Sequence, residues 1–137
     1  MVRELIHDPE LLAKESREAT QEDLSIGQDL LDTLEAHRDT CVGMAANMIG
    51  ETVRIIVFDD DGKLSLMFNP RITRVSGEYE TQESCLSLLG GPRAAKRYRK
   101  IKVEYQDQQM KNRQKNYEGW TAQIIQHEVD HCNGILI

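Results

Sequence analysis

The sequence lacks any apolar run approaching the length of a transmembrane helix, and its first residues lack the apolar core of a signal peptide. It also lacks an excess of positive charge, because 17 Lys and Arg stand against 23 Asp and Glu, a formal net charge of -6 at pH 7. This balance argues against a nucleic-acid-binding surface and against a polybasic membrane anchor. We therefore expect a cytoplasmic protein that binds neither DNA nor a membrane.

Cysteines are few, and the sequence has no internal repeat, low-complexity tract or linker. Cys41, Cys85 and Cys132 are an odd number at spacings that suggest no disulfide framework. Metal or thiol chemistry in a reducing compartment is therefore favoured over structural bridges. A chain of 137 residues is long enough for one domain with a real core and short for two, so we expect one domain over residues 1–137.

The apolar pattern predicts an N-terminal arm followed by a helix. Pro9 is expected to set a turn in the arm. The segment Thr20 to Asp23 resembles a capping box, and leucines at one-sided helical spacing follow it. These features predict a helix over about residues 21–37.

Strand signals fill the middle of the chain. Segments that are rich in β-branched residues or alternate in polarity predict strands at 53–58, 64–68, 72–75 and 100–105. Turn residues at 59–62 predict one hairpin, and the polar run 106–116 predicts another. The sequence therefore predicts an α+β fold in which antiparallel sheets pack around a C-terminal metal-binding helix, with an N-terminal helix in addition.

The most specific chemistry lies in residues 127–131, HEVDH. On a helix its two histidines lie four residues apart on one face, so both rings reach a single metal ion, with Glu128 beside them. A chance pair of surface histidines is the alternative. Apolar neighbours, including Trp120, Ile135 and Leu136, predict that the segment lies in the core, where an unpaired histidine is costly. We therefore favour a metal site.

A hydrolytic metal centre commonly has three protein ligands and keeps one position for water, so a third ligand is required. Cys85 lies between strand signals, and a thiolate binds zinc or ferrous iron strongly. Cys132 directly follows His131 and faces elsewhere on the helix, whereas Cys41 remains an alternative on chemical grounds. An inert buried thiol is the other interpretation of Cys85.

Three stretches together resemble the peptide deformylase family, whose motifs are, in order, G-x-G-L-A-A-x-Q, E-G-C-L-S and H-E-x-D-H. The sequence has CVGMAANM at 41–48, ESCLS at 83–87 and HEVDH at 127–131. Alone, the first stretch fits a tight helix-to-strand connection, with close approach of a backbone or substrate as the alternative. The likeness extends to residues 68–70 and 97–103, so it covers most of the chain.

The resemblance implies hydrolysis of the N-formyl group from the N-terminal methionine of new polypeptides. It implies one divalent metal ion held by Cys85, His127 and His131, with ferrous iron as the usual metal and zinc, nickel or cobalt as substitutes. Glu128 would take a proton from the attacking water and later pass it to the leaving amine. An N-formylmethionyl peptide is the implied partner, and the ribosome near the nascent-chain exit is a second one.

The resemblance also implies how substrate is held. The oxyanion would be stabilised by the backbone N–H of Leu86 and by the glutamine that closes the first motif, a position that Met48 occupies here. The remaining substrate-binding residues implied by the family lie along the cleft: Val42, Gly43, Ser84 and Arg97.

Departures from the family motifs suggest two alternative functions. Met48 cannot donate a hydrogen bond, and losing one oxyanion donor costs on the order of 10²–10³ in turnover. The amide of Asn47 would need a local bulge to replace it, since neighbours in an extended chain point in opposite directions. Cys41 and Ser84 replace glycines and add bulk near the cleft. The alternatives are a deacylase of related N-acylated peptides and a weakly catalytic, metal-stabilised binding protein.

Overall fold

The computed structural model describes the backbone of all 137 residues and every side chain except that of Leu89. Its helices and strands are, in chain order, α1 (Pro9–Leu12), a 3-10 turn (Gln21–Asp23), α2 (Leu24–Ala36), β1 (Gly43–Ala45), a second 3-10 turn (Ala46–Ile49), β2 (Ile55–Asp60), β3 (Lys63–Cys85), β4 (Leu88–Gln106), β5 (Asn112–Glu118) and α3 (Gly119–Cys132). The five strands form one antiparallel sheet in the order β1-β2-β3-β4-β5. The predicted α+β fold is confirmed.

Strand β2 is buried on both faces, and this places the two long helices. Ile56 and Phe58 point into the cluster that contains the buried face of α3, whereas Ile55 and Val57 belong to the cluster that contains α2. Burying one such side chain contributes about 1.5–3 kcal/mol. Because Ile125 at the middle of α3 is fully buried, the helix that carries the HEVDH segment is fixed against the sheet. None of the helices described above combines the length and apolarity that crossing a membrane requires.

Strand β3 is continuous where the sequence predicted two strands, 64–68 and 72–75. The β3–β4 register shifts after Phe68, where Asn69 adopts a positive φ of 53°. A bulge accommodates the proline that follows, since proline cannot donate to the ladder. The Asn69 amide donates to Ala19 O at 2.9 Å and to Gln106 Oε1 at 2.6 Å, which holds the bulge in place.

One local prediction is wrong. Pro9 begins the one-turn helix α1 instead of setting a turn, because proline is tolerated in the first helical turn and Asp8 caps it by accepting from Glu10 N. The HEVDH segment lies in the core, as predicted, but three of its apolar neighbours do not. Trp120 is 62% exposed in the first turn of α3, and Ile135 and Leu136, beyond its end, are 48% and 36% exposed.

The predicted capping box is present before α2. The Thr20 side chain accepts from Glu22 N, and Asp23 accepts from Thr20 N at 2.8 Å. The Arg17 guanidinium also donates to both oxygens of Asp23, each at 2.9 Å. The box therefore joins the start of α2 to the N-terminal arm.

Replacing Asp23 with asparagine is expected to lower the free energy of unfolding by about 1–2 kcal/mol at pH 7. Hydrogen bonds from Arg17 lower the pKa of Asp23 from 3.8 to about 2. Its ionised form therefore stabilises the fold above the unfolded pKa, and this stabilisation is lost as the pH falls through the folded pKa. Urea unfolding at pH 7 and pH 3 measures the effect, and the difference between wild type and Asp23→Asn should shrink at pH 3. An equal difference at both pH values would contradict the assignment.

Candidate metal centre

The Cys85 thiol and the His127 ring line a cavity of about 560 Å³, and the fully buried ring of His131 lies next to them. Their ligand atoms all lie within 4.8 Å of one another, and Nε2 of His127 lies 3.1 Å from Nε2 of His131. A tetrahedral ion with metal–nitrogen bonds of about 2.0–2.1 Å holds two nitrogens about 3.3 Å apart. The chemistry of the donor set and the spacing of its two nitrogens therefore fit one ion of the size of zinc or ferrous iron.

The other two cysteines lie outside this cluster. Cys41 lines the same cavity, but its Sγ donates to Gly43 O at 2.9 Å, and burial raises the pKa of its thiol to about 12. Cys132 is 1% exposed in the core between α3 and the sheet. Cys85 ends β3, at the start of the turn to β4, and this turn brings it against α3. Of the three thiols, only that of Cys85 is within reach of both imidazoles.

The two histidines differ in protonation. Burial, together with the neighbouring charge on His127, lowers the pKa of His131 to about 3, so its nitrogen lone pair is free at neutral pH. Burial also opposes a charge on His127, but its hydrogen bonds with Cys85 and Glu83 outweigh this effect and raise the pKa of His127 to about 10. A cation that binds here must displace that proton.

The Glu83 carboxylate, to which the sequence motifs assigned no role, holds the His127 ring in place. Glu83 Oε1 lies 2.8 Å from His127 Nδ1, and Arg97 Nε donates to both Glu83 oxygens at 3.1 and 3.0 Å. Burial works to raise the pKa of Glu83, but the hydrogen bonds from His127 and Arg97 outweigh it and lower the pKa to about 2. Ionised Glu83 accepts the Nδ1–H of His127 and leaves Nε2 to face the other two donors. Its position two residues before Cys85, in a predicted motif, was the available signal.

Glu128 lies beside the three candidate metal ligands, and one oxygen of its carboxylate makes no hydrogen bond to the described part of the chain. It is 4% exposed and lines the cavity, and its Oε1 has no hydrogen-bond partner among the described side chains. Burial raises the pKa of Glu128 to about 7, which suits a group that both accepts and returns a proton near neutral pH. A Cβ on Gly43 would lie 2.9 Å from Glu128 Oε2 and 2.7 Å from Ile124 Cγ2. The absence of a side chain at Gly43 therefore lets β1 approach α3 closely enough to flank this carboxylate.

The predicted substrate-binding residues divide into two groups. Four of them line the cavity, namely Val42, Gly43, Met48 and Ser84, and so does Leu86, the predicted oxyanion donor. Arg97 is not among its lining residues. It is 4% exposed, and besides Glu83 its guanidinium binds Asp130 Oδ2 at 2.7 Å. Arg97 therefore lies behind the histidines instead of facing the cavity.

Met48, at the position predicted to face the oxyanion, has no side-chain amide. Met48 is 1% exposed, and its Sδ accepts from Ala45 N at 3.5 Å. Asn47 lies in a 3-10 turn, not in extended chain, and its Nδ2 donates to His131 O at 3.0 Å and to Leu12 O at 3.4 Å. These two backbone carbonyl groups therefore occupy the amide nitrogen of Asn47, and it does not replace the glutamine of the family motif.

Comparisons with known proteins agree with one another. A family profile described as polypeptide deformylase matches residues 3–137. A peptide deformylase of Clostridium beijerinckii is 46% identical over 137 residues, 100% of both chains, and one of Dictyoglomus thermophilum is 34% identical over 141 residues, covering 100% of this chain and 91% of the relative. The crystal structure of a peptide deformylase from Legionella pneumophila superposes with a TM-score of 0.88 at 34% identity, covering 99% of this chain and 83% of that one.

Proposed function

The chain belongs to the peptide deformylase family, and from this premise we propose which of its residues carry out the hydrolysis. The reaction removes the N-formyl group from the N-terminal methionine of newly synthesised polypeptides and releases formate. It is a hydrolysis in a metal-dependent family, and the resemblance of the sequence motifs to that family is confirmed. The observation that supports our assignment is the convergence of one thiol and two imidazoles beside a cavity that is also lined by a buried carboxylate.

The proposed cation ligands are Cys85, His127 and His131. When bound, the cation polarises water and lowers its pKa, so that a nucleophile is available near neutral pH. We assign ferrous iron as the physiological metal, with zinc or nickel as substitutes, because a mixed thiolate and imidazole set suits these ions. Glu83 keeps His127 in the required tautomer, and Arg97, which we now place outside the substrate site, holds Glu83.

Glu128 is the proposed proton carrier. It takes a proton from the attacking water as the new C–O bond forms at the formyl carbon. It then gives this proton to the methionine nitrogen as the C–N bond breaks, which releases formate and a free amine. Its free oxygen, its burial and its raised pKa support this role.

The formyl oxygen gains negative charge during attack and needs donors at that moment. The backbone N–H of Leu86 is the proposed protein donor, and Met48 adds none. The peptide is proposed to lie along Val42, Gly43 and Ser84, which line the same cavity. A peptide in this place would bring its formyl carbon next to Glu128.

The substrate exists on chains that are leaving the ribosome, so we propose that the enzyme works in the cytoplasm, near the nascent-chain exit. The net charge of -6 supports neither DNA nor a membrane as a further partner.

A formate-release assay tests the proposed function. Protein loaded anaerobically with ferrous iron is expected to release formate from a formyl-methionyl peptide, and the same protein stripped by a chelator is expected to release none. A matched acetyl-methionyl peptide is the control for the acyl group, and it should yield no acetate. Acetate release equal to formate release would instead favour a broader deacylase, and an active metal-free protein would refute the assigned centre.

A further inference from the structure

A hydrogen-bonded chain leads from His127 towards the surface of the β3–β4 hairpin. Tyr79 OH donates to Gln123 Oε1 at 3.1 Å, and Gln123 Nε2 donates to Glu83 Oε2 at 2.9 Å. Glu83 Oε1 in turn lies 2.8 Å from His127 Nδ1. We propose that Gln123 is a positioning residue of the metal centre and that Tyr79 acts through it. This inference rests on the proposed metal site.

The hydrogen bonds with Tyr79 and Glu83 fix the orientation of the Gln123 amide. An amide has one accepting oxygen and one donating nitrogen, and a carboxylate only accepts. If the amide were reversed, its oxygen would face Glu83 Oε2 at 2.9 Å with no proton between them. The Tyr79 hydroxyl supplies the donor that the Gln123 oxygen requires, and burial raises the pKa of Tyr79, which keeps the hydroxyl protonated at neutral pH.

Gln123 acts on the Glu83 oxygen that His127 does not use. Arg97 donates to both oxygens of Glu83, and Gln123, from α3, supplies the second hydrogen bond that Oε2 accepts. Gln123 lies four residues before His127, on the same face of α3, so any movement of this helix carries the donor and the ligand together.

Tyr79 is itself held in place within the sheet. It pairs with Arg97 across β3 and β4, and the Arg99 guanidinium lies 5.0 Å from the centre of its ring. Tyr79 and Glu83 lie four positions apart in a regularly paired part of β3 and so share one face. The network therefore joins one strand face to one helix face around a single carboxylate.

Zinc affinity, measured by competition with a chromophoric chelator, tests the proposal. Removing a group that supports a metal ligand typically weakens metal binding by about 10–100-fold. We expect a loss of at least about 10-fold for Gln123→Leu and a smaller loss for Tyr79→Phe. The double variant should match Gln123→Leu alone, because Tyr79 has no effect once Gln123 is gone. Gln82→Leu is the matched control, since Gln82 lines the same cavity and makes no hydrogen bond to Glu83 among the described side chains, and its zinc affinity should be unchanged.

Retention of wild-type affinity by Gln123→Leu, or an equal loss in Gln82→Leu, would overturn the proposal. Additive losses in the double variant would also overturn it, because a purely structural role predicts independent effects. If Gln123→Leu does not fold, Tyr79→Phe decides, and wild-type affinity in that variant counts against the proposal. Failure of the wild type to bind zinc would refute the metal site itself, a result distinct from equal affinities in wild type and variants.

Discussion

Replacing Glu128 with glutamine is expected to lower kcat/KM for formate release by about 10²–10⁴-fold, the usual contribution of a positioned proton carrier. Glutamine keeps the size of the side chain and removes its ability to take a proton. The change should appear mainly in kcat, because the proton moves only as the transition state forms. Initial rates of formate release at saturating and limiting peptide would measure both constants.

The same variant separates catalysis from folding and from metal binding. Glu128 is not one of the three converging donors, so metal content per chain should equal that of the wild type. Burial disfavours the charge on this carboxylate, as its raised pKa shows, so the neutral amide should not lower the free energy of unfolding. A Glu128→Gln protein that kept more than about a tenth of wild-type activity would fall outside the range expected for the assigned base and refute it. Loss of metal from the variant would mean that the carboxylate supports the ion instead.

The parts of the site that depend on short spacing could be predicted from the sequence. The four-residue interval between His127 and His131 needs only helical periodicity, and the helix before β1 followed from its capping box and leucines. The choice of Cys85 over Cys41 was different, because chemistry alone left both open. It depended on the family resemblance, and the structure brings Cys85 to the imidazoles through the turn between β3 and β4.

The parts that depend on long-range register could not be predicted. Gln123 reaches Glu83 only because α3 lies against one particular face of β3, and no local pattern specifies that contact between residues 40 positions apart. The continuity of β3 depends on a bulge that Asn69 stabilises through Ala19 and Gln106, again at long range. The exposure of Trp120 at the cavity could not be predicted either, because hydrophobicity alone does not distinguish a core residue from one at a binding cavity.

Met48 occupies the position at which the first motif of the resembled family has a glutamine. Its buried thioether lines the cavity and offers no proton to an oxyanion. If wild-type formate release were undetectable with verified iron, this departure would favour a metal-stabilised binding protein. The substitution that restores the donor therefore distinguishes a slow deformylase from a protein that has lost deformylase activity.

Replacing Met48 with glutamine is expected to raise kcat by on the order of 10²–10³-fold, which corresponds to about 2.7–4 kcal/mol for one oxyanion donor. Glutamine is close to methionine in length, and its Oε1 can accept the hydrogen bond from Ala45 N that Met48 Sδ now accepts at 3.5 Å. Its Nε2 is then left to donate into the cavity. KM should change little, since the oxyanion exists only in the transition state.

Met48→Leu is the matched control for this gain, because leucine fills the same apolar space and also lacks a donor. Its kcat should stay at the wild-type value, and only the glutamine variant should be faster. An equal rise in both variants would assign the effect to packing around β1. A Met48→Gln enzyme with wild-type kcat would mean that the oxyanion is already stabilised without this position, so that the departure from the family motif carries no catalytic cost.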